Sequence, residues 1–219
     1  MTDAATDQGV SVWDWPTRLV HWALAVLVVA AWLTADGPTL QIHRWIGYGI
    51  LGLVVFRLYW GFAGGSTARF GEFVRSPAAA IAYLRGQDPH RAGHNPLGAW
   101  SVLLLLGLLI SQVSLGVFTV DVDGMESGPL SRFVSYEAGR QAADWHELNF
   151  RLLQGAIVLH LAAIAYYAFI RRRNLVGPML TGRDRTPGLS GELRPAPLWR
   201  LVLGVVLASL VVALVVRPG

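Results

Sequence analysis

The 219-residue chain contains no cysteine. This absence excludes intrachain disulfides and iron–sulfur clusters held by the protein's own thiolates. It also excludes the C-x-x-C-H motif that attaches c-type haem covalently. A redox cofactor in this chain would therefore have to be held by other side chains and without a covalent link.

Charge is scarce and lysine is absent. Only 15% of the residues are charged, against about 25% in an ordinary soluble domain, whereas 53% are hydrophobic. All 18 basic residues are arginines, and the formal net charge is +4. These arginines stand beside apolar segments, which favours membrane lipid as the surroundings and gives no indication of nucleic-acid binding.

Five apolar segments divide the chain. They cover approximately residues 15–34, 43–62, 97–119, 144–170 and 198–216. Each is near the ~20 residues that an α-helix needs to cross about 30 Å of hydrocarbon. Arg57 interrupts the second segment, which leaves a buried helix of a soluble protein as the alternative there. The pattern predicts an all-α integral membrane protein with five transmembrane helices.

The charges of the connecting segments predict the orientation. Segments 64–96 and 171–197 are rich in arginine, whereas segment 120–143 contains Asp121, Asp123, Glu126 and Glu137 against two arginines. The positive-inside rule places the two basic segments in the cytoplasm, so the N-terminus lies inside and the C-terminus outside. Residues 1–11 carry no basic residue, so we expect no secretory signal there.

Four of the six histidines lie in the predicted helices or at their ends: His21, His43, His146 and His160. His146 and His160 are 14 residues apart, so they share one face of a helix and lie about 21 Å apart along it. His43 and His146 are expected at the same depth in the membrane, near the outer surface. His21 and His160 are expected at a second shared depth, in the inner half. Two residues at each of two depths suit two haems, each with two axial histidines.

Other interpretations of the histidines remain open. Each could be an ordinary polar residue bonded across helices, and a zinc site is a weaker alternative because no acidic ligand lies at a matching depth. Gly155, between His146 and His160, would let a flat macrocycle approach the backbone. We expect His90 and His94, in the basic segment, to be surface residues.

Three arginines near these histidines are candidate partners for haem propionates: Arg18, Arg44 and Arg151. Alternatively, Arg18 and Arg44 could lie at helix ends and extend their side chains to the membrane–water interface. Helix three carries Ser111, Gln112 and Ser114, which we expect to pack and hydrogen-bond between helices. We assign no quinone site.

Several motifs together resemble the bacterial cytochrome b561 family and the b-type cytochrome subunits of nickel–iron hydrogenases. The first is Trp13-x-x-x-x-Arg18-x-x-His21-Trp22, and further similar segments are 42–48, 144–147, 159–160 and 174–183. The resemblance implies a four-helix transmembrane core over residues 1–183 that binds two b haems non-covalently. It implies that His21, His43, His146 and His160 are the axial ligands of the haem iron. Simple cytochromes of this kind stop after four helices, so residues 184–219 are expected to be a linker and a fifth helix.

The resemblance also implies a function in the bacterial inner membrane. The expected activity is electron transfer between the quinone pool and a periplasmic redox partner, such as a c-type cytochrome or a hydrogenase. One alternative is a haem-bearing membrane anchor subunit of a larger oxidoreductase, with little activity alone. Another is a superoxide or ferric reductase. The redox partner, the direction of electron flow and the oligomeric state are not predicted.

Overall fold

Helices form most of this computed structural model, which describes residues 9–86, 93–122, 127–187, 189 and 192–217. In chain order the elements are β1 (Val10–Ser11), α1 (Trp15–Leu33), α2 (Leu40–Ala63), α3 (Phe70–Phe73), α4 (Pro77–Leu84), α5 (Pro96–Gly116), α6 (Tyr136–Phe169), α7 (Val176–Thr181), β2 (Arg183–Asp184) and α8 (Leu198–Val216). Single 3₁₀ turns cover Gly37–Thr39, Ser66–Ala68 and Ser131–Phe133. The chain is 73% helical.

Five helices, α1, α2, α5, α6 and α8, are long and apolar enough to cross a membrane. Their apolar side chains are largely exposed: only 6% of the most apolar window of α6 and 11% of that of α8 are buried. Exposed apolar surface of this extent suits contact with lipid tails rather than water. The predicted fold class and the five spans are confirmed, including the second span that contains Arg57.

Helix α6 begins eight residues earlier than the sequence predicted, at Tyr136 instead of Asp144. Ser135 caps it, because its hydroxyl accepts a hydrogen bond from the Ala138 amide at 3.2 Å. With 34 residues, α6 measures about 51 Å and exceeds the ~30 Å of a hydrocarbon core. The end of α6 nearer Tyr136 is polar and therefore extends past the apolar layer.

Contacts group the chain into two compact units. The first unit comprises residues 1–19, 59–103 and 158–201, and the second comprises residues 20–58, 104–157 and 202–219. The predicted division of the chain at residue 183 stays a prediction.

In the first unit, Asp14 is the central polar residue. Its buried carboxylate caps α1 by accepting from the Thr17 amide at 3.0 Å. It also accepts from the Trp60 indole at 2.9 Å and from the Gly65 amide at 3.3 Å. One side chain thus joins the start of α1 to the end of α2.

The basic segments of the first unit are ordered rather than simple connections. Strand β1 pairs antiparallel with β2, and the Leu193 amide donates to the Ser11 carbonyl at 2.9 Å. The Ser66 amide donates to the Arg194 carbonyl at 3.0 Å. The basic segment 171–197 therefore holds a helix and a strand that belong to this unit.

His94 also differs from its prediction. It is half-buried, with its ring centre 4.6 Å from that of Trp13 and 4.4 Å from that of Phe73. The expectation of a surface residue is therefore corrected, because aromatic packing accounts for His94. His90 and Arg91 lie outside the described residues.

In the second unit, two glycines of α2 allow close helix packing. A Cβ atom at Gly49 would lie 3.5 Å from the Leu27 side chain on α1. A Cβ atom at Gly52 would lie 3.3 Å from the Val212 side chain on α8. Val54 and Leu153 are almost fully buried in this unit, so its interior is apolar away from the polar groups described next.

Candidate haem site

His43 and His146 face each other in the second unit. His43 lies in the first turn of α2, and His146 lies ten residues into α6. Their ring centres are 6.2 Å apart, and the ring planes are nearly perpendicular, at 81°. The structure therefore brings together the two histidines that the sequence matched at the outer depth.

Each ring is oriented by a backbone carbonyl. His43 Nδ1 lies 2.8 Å from the Ala31 oxygen, and His146 Nδ1 lies 3.0 Å from the Gln112 oxygen. A carbonyl oxygen can only accept, so each Nδ1 carries the proton. In a neutral ring this leaves Nε2 with a free lone pair, which is the arrangement of a metal-ligating histidine.

The spacing of these rings fits an axially ligated iron. Two imidazole–metal bonds of about 2 Å each, together with the distance from each nitrogen to its ring centre, span about 6 Å. Two neutral imidazoles as the complete protein ligand set suit a haem, whose macrocycle supplies the remaining iron ligands. Among residues 9–86, 93–122, 127–187, 189 and 192–217, no three His, Cys, Asp or Glu side chains form a metal site.

A cavity of about 590 Å³ surrounds the two rings. Its lining is mainly apolar and aromatic, as ligand pockets are, and includes Trp32 and Phe150. Gly47, one turn after His43, lines it too, and nothing lies within 4 Å of the place where its Cβ would be. A flat group can therefore approach the backbone of α2 at Gly47.

Gly116 gives His146 its position. A Cβ atom on Gly116 would lie 2.9 Å from His146 Cε1 and 3.2 Å from Nδ1. Such distances are too short, so the imidazole fits against the end of α5 only because residue 116 has no side chain. Gly155, singled out in the sequence, is exposed with open space around it.

Three arginines line the same cavity. Arg44 donates to the Ser127 carbonyl at 3.4 Å, and Arg151 forms an ion pair with Glu147. Arg140, the third, donates to the Val120 carbonyl at 3.1 Å. These guanidiniums are the cations that two propionates would require.

Hydropathy alone does not identify Arg140, because it places residues 120–143 in a connection between two spans. The sequence nevertheless contains a signal for the earlier start of α6. Ser135 followed by Glu137 is a helix N-terminal pattern, and starting α6 there places Arg140 on the same helix as His146.

The remaining predicted site residues lie elsewhere. His21 is half-buried on α1 in the second unit, with its ring centre 5.1 Å from that of Trp22. His160 is half-buried on α6 and belongs to the first unit. Arg18, also in the first unit, donates to the Leu180 carbonyl at the end of α7. The pairing of His21 with His160 and the propionate role of Arg18 stay predictions.

Gln112 connects α5 to α6, as expected for this residue, whereas the same expectation is not met by the two serines near it. Its side-chain oxygen accepts from Asn149 Nδ2 at 2.6 Å, while its backbone oxygen binds His146. Asn149 Nδ2 also donates to the Leu108 carbonyl at 3.0 Å. Ser111 and Ser114 on the same helix are exposed.

Comparison with known proteins agrees with this geometry. A family model described as prokaryotic cytochrome b561 matches residues 12–182. No similar protein was found among curated proteins, and no similar fold was found among solved structures. The match covers most of the chain and includes all four candidate haem ligands. The chain therefore belongs to the prokaryotic cytochrome b561 family of multi-pass membrane proteins, which bind b-type haem and transfer electrons.

Proposed function

We propose that this protein holds two b haems without covalent attachment and carries electrons between the quinone pool and a periplasmic redox partner. The facing pair of His43 and His146, 6.2 Å between ring centres, is the observation that carries the proposal. Nδ1 of each ring is bonded to a carbonyl, which leaves Nε2 of each ring available as a metal ligand. His43 and His146 would hold a haem b, which would supply one-electron transfer, and ligation by two histidines would leave no iron position open for oxygen.

The proposed inner haem rests on His21 and His160. His160 follows His146 by 14 residues on one continuous helix, α6. That spacing gives an axial separation of about 21 Å on one face of the helix. A haem at each of these two depths would divide electron transfer across the membrane into shorter steps.

Charge supports the proposed orientation in the inner membrane, with a cytoplasmic N-terminus and a periplasmic C-terminus. The first unit contains twelve arginines and seven acidic residues, whereas the second contains six arginines and seven acidic residues. Segments rich in arginine are retained in the cytoplasm. The acidic connection between the third and fourth spans, which leads to His146, then lies on the periplasmic side.

The proposed periplasmic partner is a c-type cytochrome or an oxidoreductase subunit such as a hydrogenase. On the second unit, Glu137 and Asp144 are exposed along the first turns of α6, and Asp121 is half-exposed. Asp123 and Glu126 lie outside the described residues. Acidic groups of this kind would attract a basic partner and raise its association rate.

Docking can be tested by changing Asp121, Asp123 and Glu126 together to their amides. We expect slower electron transfer to a basic c-type cytochrome and a weaker dependence of the rate on salt. Unchanged rates at every ionic strength would rule out docking at this segment.

Haem binding is tested by reduced-minus-oxidised spectra and a pyridine haemochrome count on protein purified in mild detergent. We expect two b haems per chain. His43→Ala and His146→Ala should lose one haem, and His21→Ala and His160→Ala should lose the other. His94→Ala is the matched control, because His94 packs between aromatic rings, and it should retain both. A count of one haem that is insensitive to His21 and His160 would refute the two-haem relay.

Helix α8 favours a second function, that of a haem-bearing membrane anchor for a larger oxidoreductase. It lies outside the region matched by the family and exposes Leu203, Val206 and Leu210. Quinol oxidation by the isolated chain distinguishes the two functions. A fast reaction supports an independent cytochrome, whereas reduction only in the presence of a partner subunit supports the anchor.

A further inference from the structure

We infer that Asn149 is a positioning residue for His146 and that it lowers the reduction potential of the outer haem, the one proposed at His43 and His146. The inference rests on the proposed function, because it requires His146 to ligate a haem iron. Asn149 acts through α5, since it binds the same turn of α5 whose carbonyl holds the His146 ring.

Asn149 lies on the buried face of α6. His146, Asn149 and Leu153 follow one another at intervals of three and four residues, so they share one face of the helix. Of the 34 residues of α6, all of which the structure describes, three are buried: Gly139, Asn149 and Leu153. Asn149 is the one of these three with a polar side chain. A buried amide needs hydrogen-bond partners, and the position of those partners indicates its role.

The partners of Asn149 belong to one turn of α5. Asn149 Nδ2 donates to the Leu108 carbonyl at 3.0 Å and to the Gln112 side-chain oxygen at 2.6 Å. The backbone oxygen of the same Gln112 accepts from His146 Nδ1 at 3.0 Å. Leu108 and Gln112 are four residues apart and therefore neighbours on one face of α5. Three hydrogen bonds from His146 and Asn149 thus fix α6 against this turn.

The next turn of α5 restricts His146 further. A Cβ atom on Gly116, four residues after Gln112, would lie 2.9 Å from His146 Cε1. The imidazole therefore lies against Gly116 while its Nδ1 binds the Gln112 carbonyl. A small shift of α6 along α5 would change both contacts. Asn149 opposes such a shift because its two hydrogen bonds set the register of the two helices.

The hydrogen bond from His146 Nδ1 controls how strongly Nε2 donates to a metal. An acceptor at Nδ1–H raises the basicity of the imidazole. A more basic ligand stabilises ferric iron more than ferrous iron, so it lowers the reduction potential. Asn149 is uncharged, so its effect on the potential comes from the position of His146. An amide that only joined two helices would leave the potential unchanged.

The test is a redox titration of the full chain with its haem, purified in mild detergent and followed by absorbance. The outer haem is identified as the one that His43→Ala removes. Asn149→Leu should raise the ratio of ferrous to ferric outer haem about tenfold at a fixed solution potential. For a one-electron couple this is an upward shift of about 59 mV in the midpoint potential.

Gln112→Leu is a second and milder variant. It removes the side-chain acceptor of Asn149 but keeps the backbone oxygen that binds His146 and the contact with Leu108. The ratio of ferrous to ferric outer haem should rise about threefold, which corresponds to about 28 mV. If Asn149→Leu fails to fold or to keep the outer haem, the shift in Gln112→Leu decides.

The matched control is Asn95→Leu in the first unit. Asn95 Nδ2 also donates to two acceptors, the Tyr83 hydroxyl at 3.1 Å and the Tyr167 hydroxyl at 3.2 Å. Its Oδ1 accepts from the Gly98 amide at 2.7 Å. Asn95→Leu should lower the midpoint of thermal unfolding at least as much as Asn149→Leu does, and leave the potential of the outer haem unchanged.

Three results would overturn the inference. An unchanged potential in both Asn149→Leu and Gln112→Leu, with the outer haem retained, would do so and leave the proposed function intact. Equal upward shifts in Asn149→Leu and Asn95→Leu would show a general loosening of the protein. A parent protein without a haem that depends on His43 and His146 would refute the proposed function itself, and the role of Asn149 with it.

Discussion

The ring centres of His43 and His146 lie 6.2 Å apart, and each ring is fixed by a backbone carbonyl of another helix. The two histidines are about 100 residues apart in the chain and on different helices. Their orientation thus depends on α1 and α5, which supply the Ala31 and Gln112 carbonyls. Changes in those supporting helices should affect the histidines without touching either ring.

Gly116→Ala should disturb the candidate haem site. The new Cβ would lie 2.9 Å from His146 Cε1, so the ring must turn away from the Gln112 carbonyl. We expect a smaller b-haem absorbance for this site and a shifted midpoint potential, measured by redox titration. The matched control is Gly107→Ala on the same helix, where nothing lies within 4 Å. If both variants gave the same spectra and potentials as the parent, the close fit of His146 would be refuted.

Asn149→Leu should destabilise the second unit. It removes the donor to two acceptors, the Leu108 carbonyl and the Gln112 side chain. The Leu108 carbonyl keeps its helical partner, so the main loss is the part-buried Gln112 amide oxygen, at a cost of about 1–3 kcal/mol. Adding Gln112→Leu should cost less than the sum of the two single changes, because one of those acceptors is then removed. Thermal unfolding followed by circular dichroism gives the comparison. Strict additivity would show that the Asn149–Gln112 hydrogen bond contributes no coupling.

Asp14→Ala should destabilise the first unit. The substitution removes the cap of α1 and leaves the Trp60 indole without its acceptor. Together these losses amount to about 2–4 kcal/mol. Asp36→Ala is the control, because Asp36 precedes a 3₁₀ turn without a side-chain cap, and it should change stability by less than about 0.5 kcal/mol. Equal unfolding midpoints for the two variants would contradict the role of Asp14.

The orientation can be measured directly because the chain has no cysteine. Glu137→Cys and Arg85→Cys each introduce one exposed thiol, in the second and the first unit respectively. With a membrane-impermeant maleimide on intact cells, we expect labelling of Glu137→Cys alone. Arg85→Cys should react only after the cells are opened. The reverse pattern would invert the proposed topology.

Sequence reasoning succeeded best for the long helices, and the case of α8 shows why. Its run of apolar residues predicted 198–216, and the structure has Leu198–Val216. A membrane-crossing helix satisfies its own backbone hydrogen bonds, so length and hydropathy suffice to find it. Hydropathy does not predict the start of α6, because the first turns of this helix are polar. The capping residue Ser135 marks the start instead.

The folded structure of the two basic segments could not be predicted from the sequence. Arg173 meets Asp184, and Ser66 meets Arg194, through contacts between residues distant in sequence. Local patterns carry no information about such pairs, and the high arginine content of both segments suggested solvent-exposed connections. His94 was misjudged for the same reason, since Trp13 and Phe73 come from other parts of the chain.

The sequence by itself determined the membrane class, the five spans, the lack of thiol chemistry and the choice of His43 and His146 as partners by depth. Helical periodicity and the thickness of a bilayer are general physical constants, so those results follow from residue order alone. Only the tertiary structure decided that the Nδ1–H group of each ring donates a hydrogen bond to a carbonyl, that Gly116 leaves room for His146, and that Arg140 lines the cavity. These features depend on how side chains from different helices pack together, and packing of that kind is a property of the folded chain.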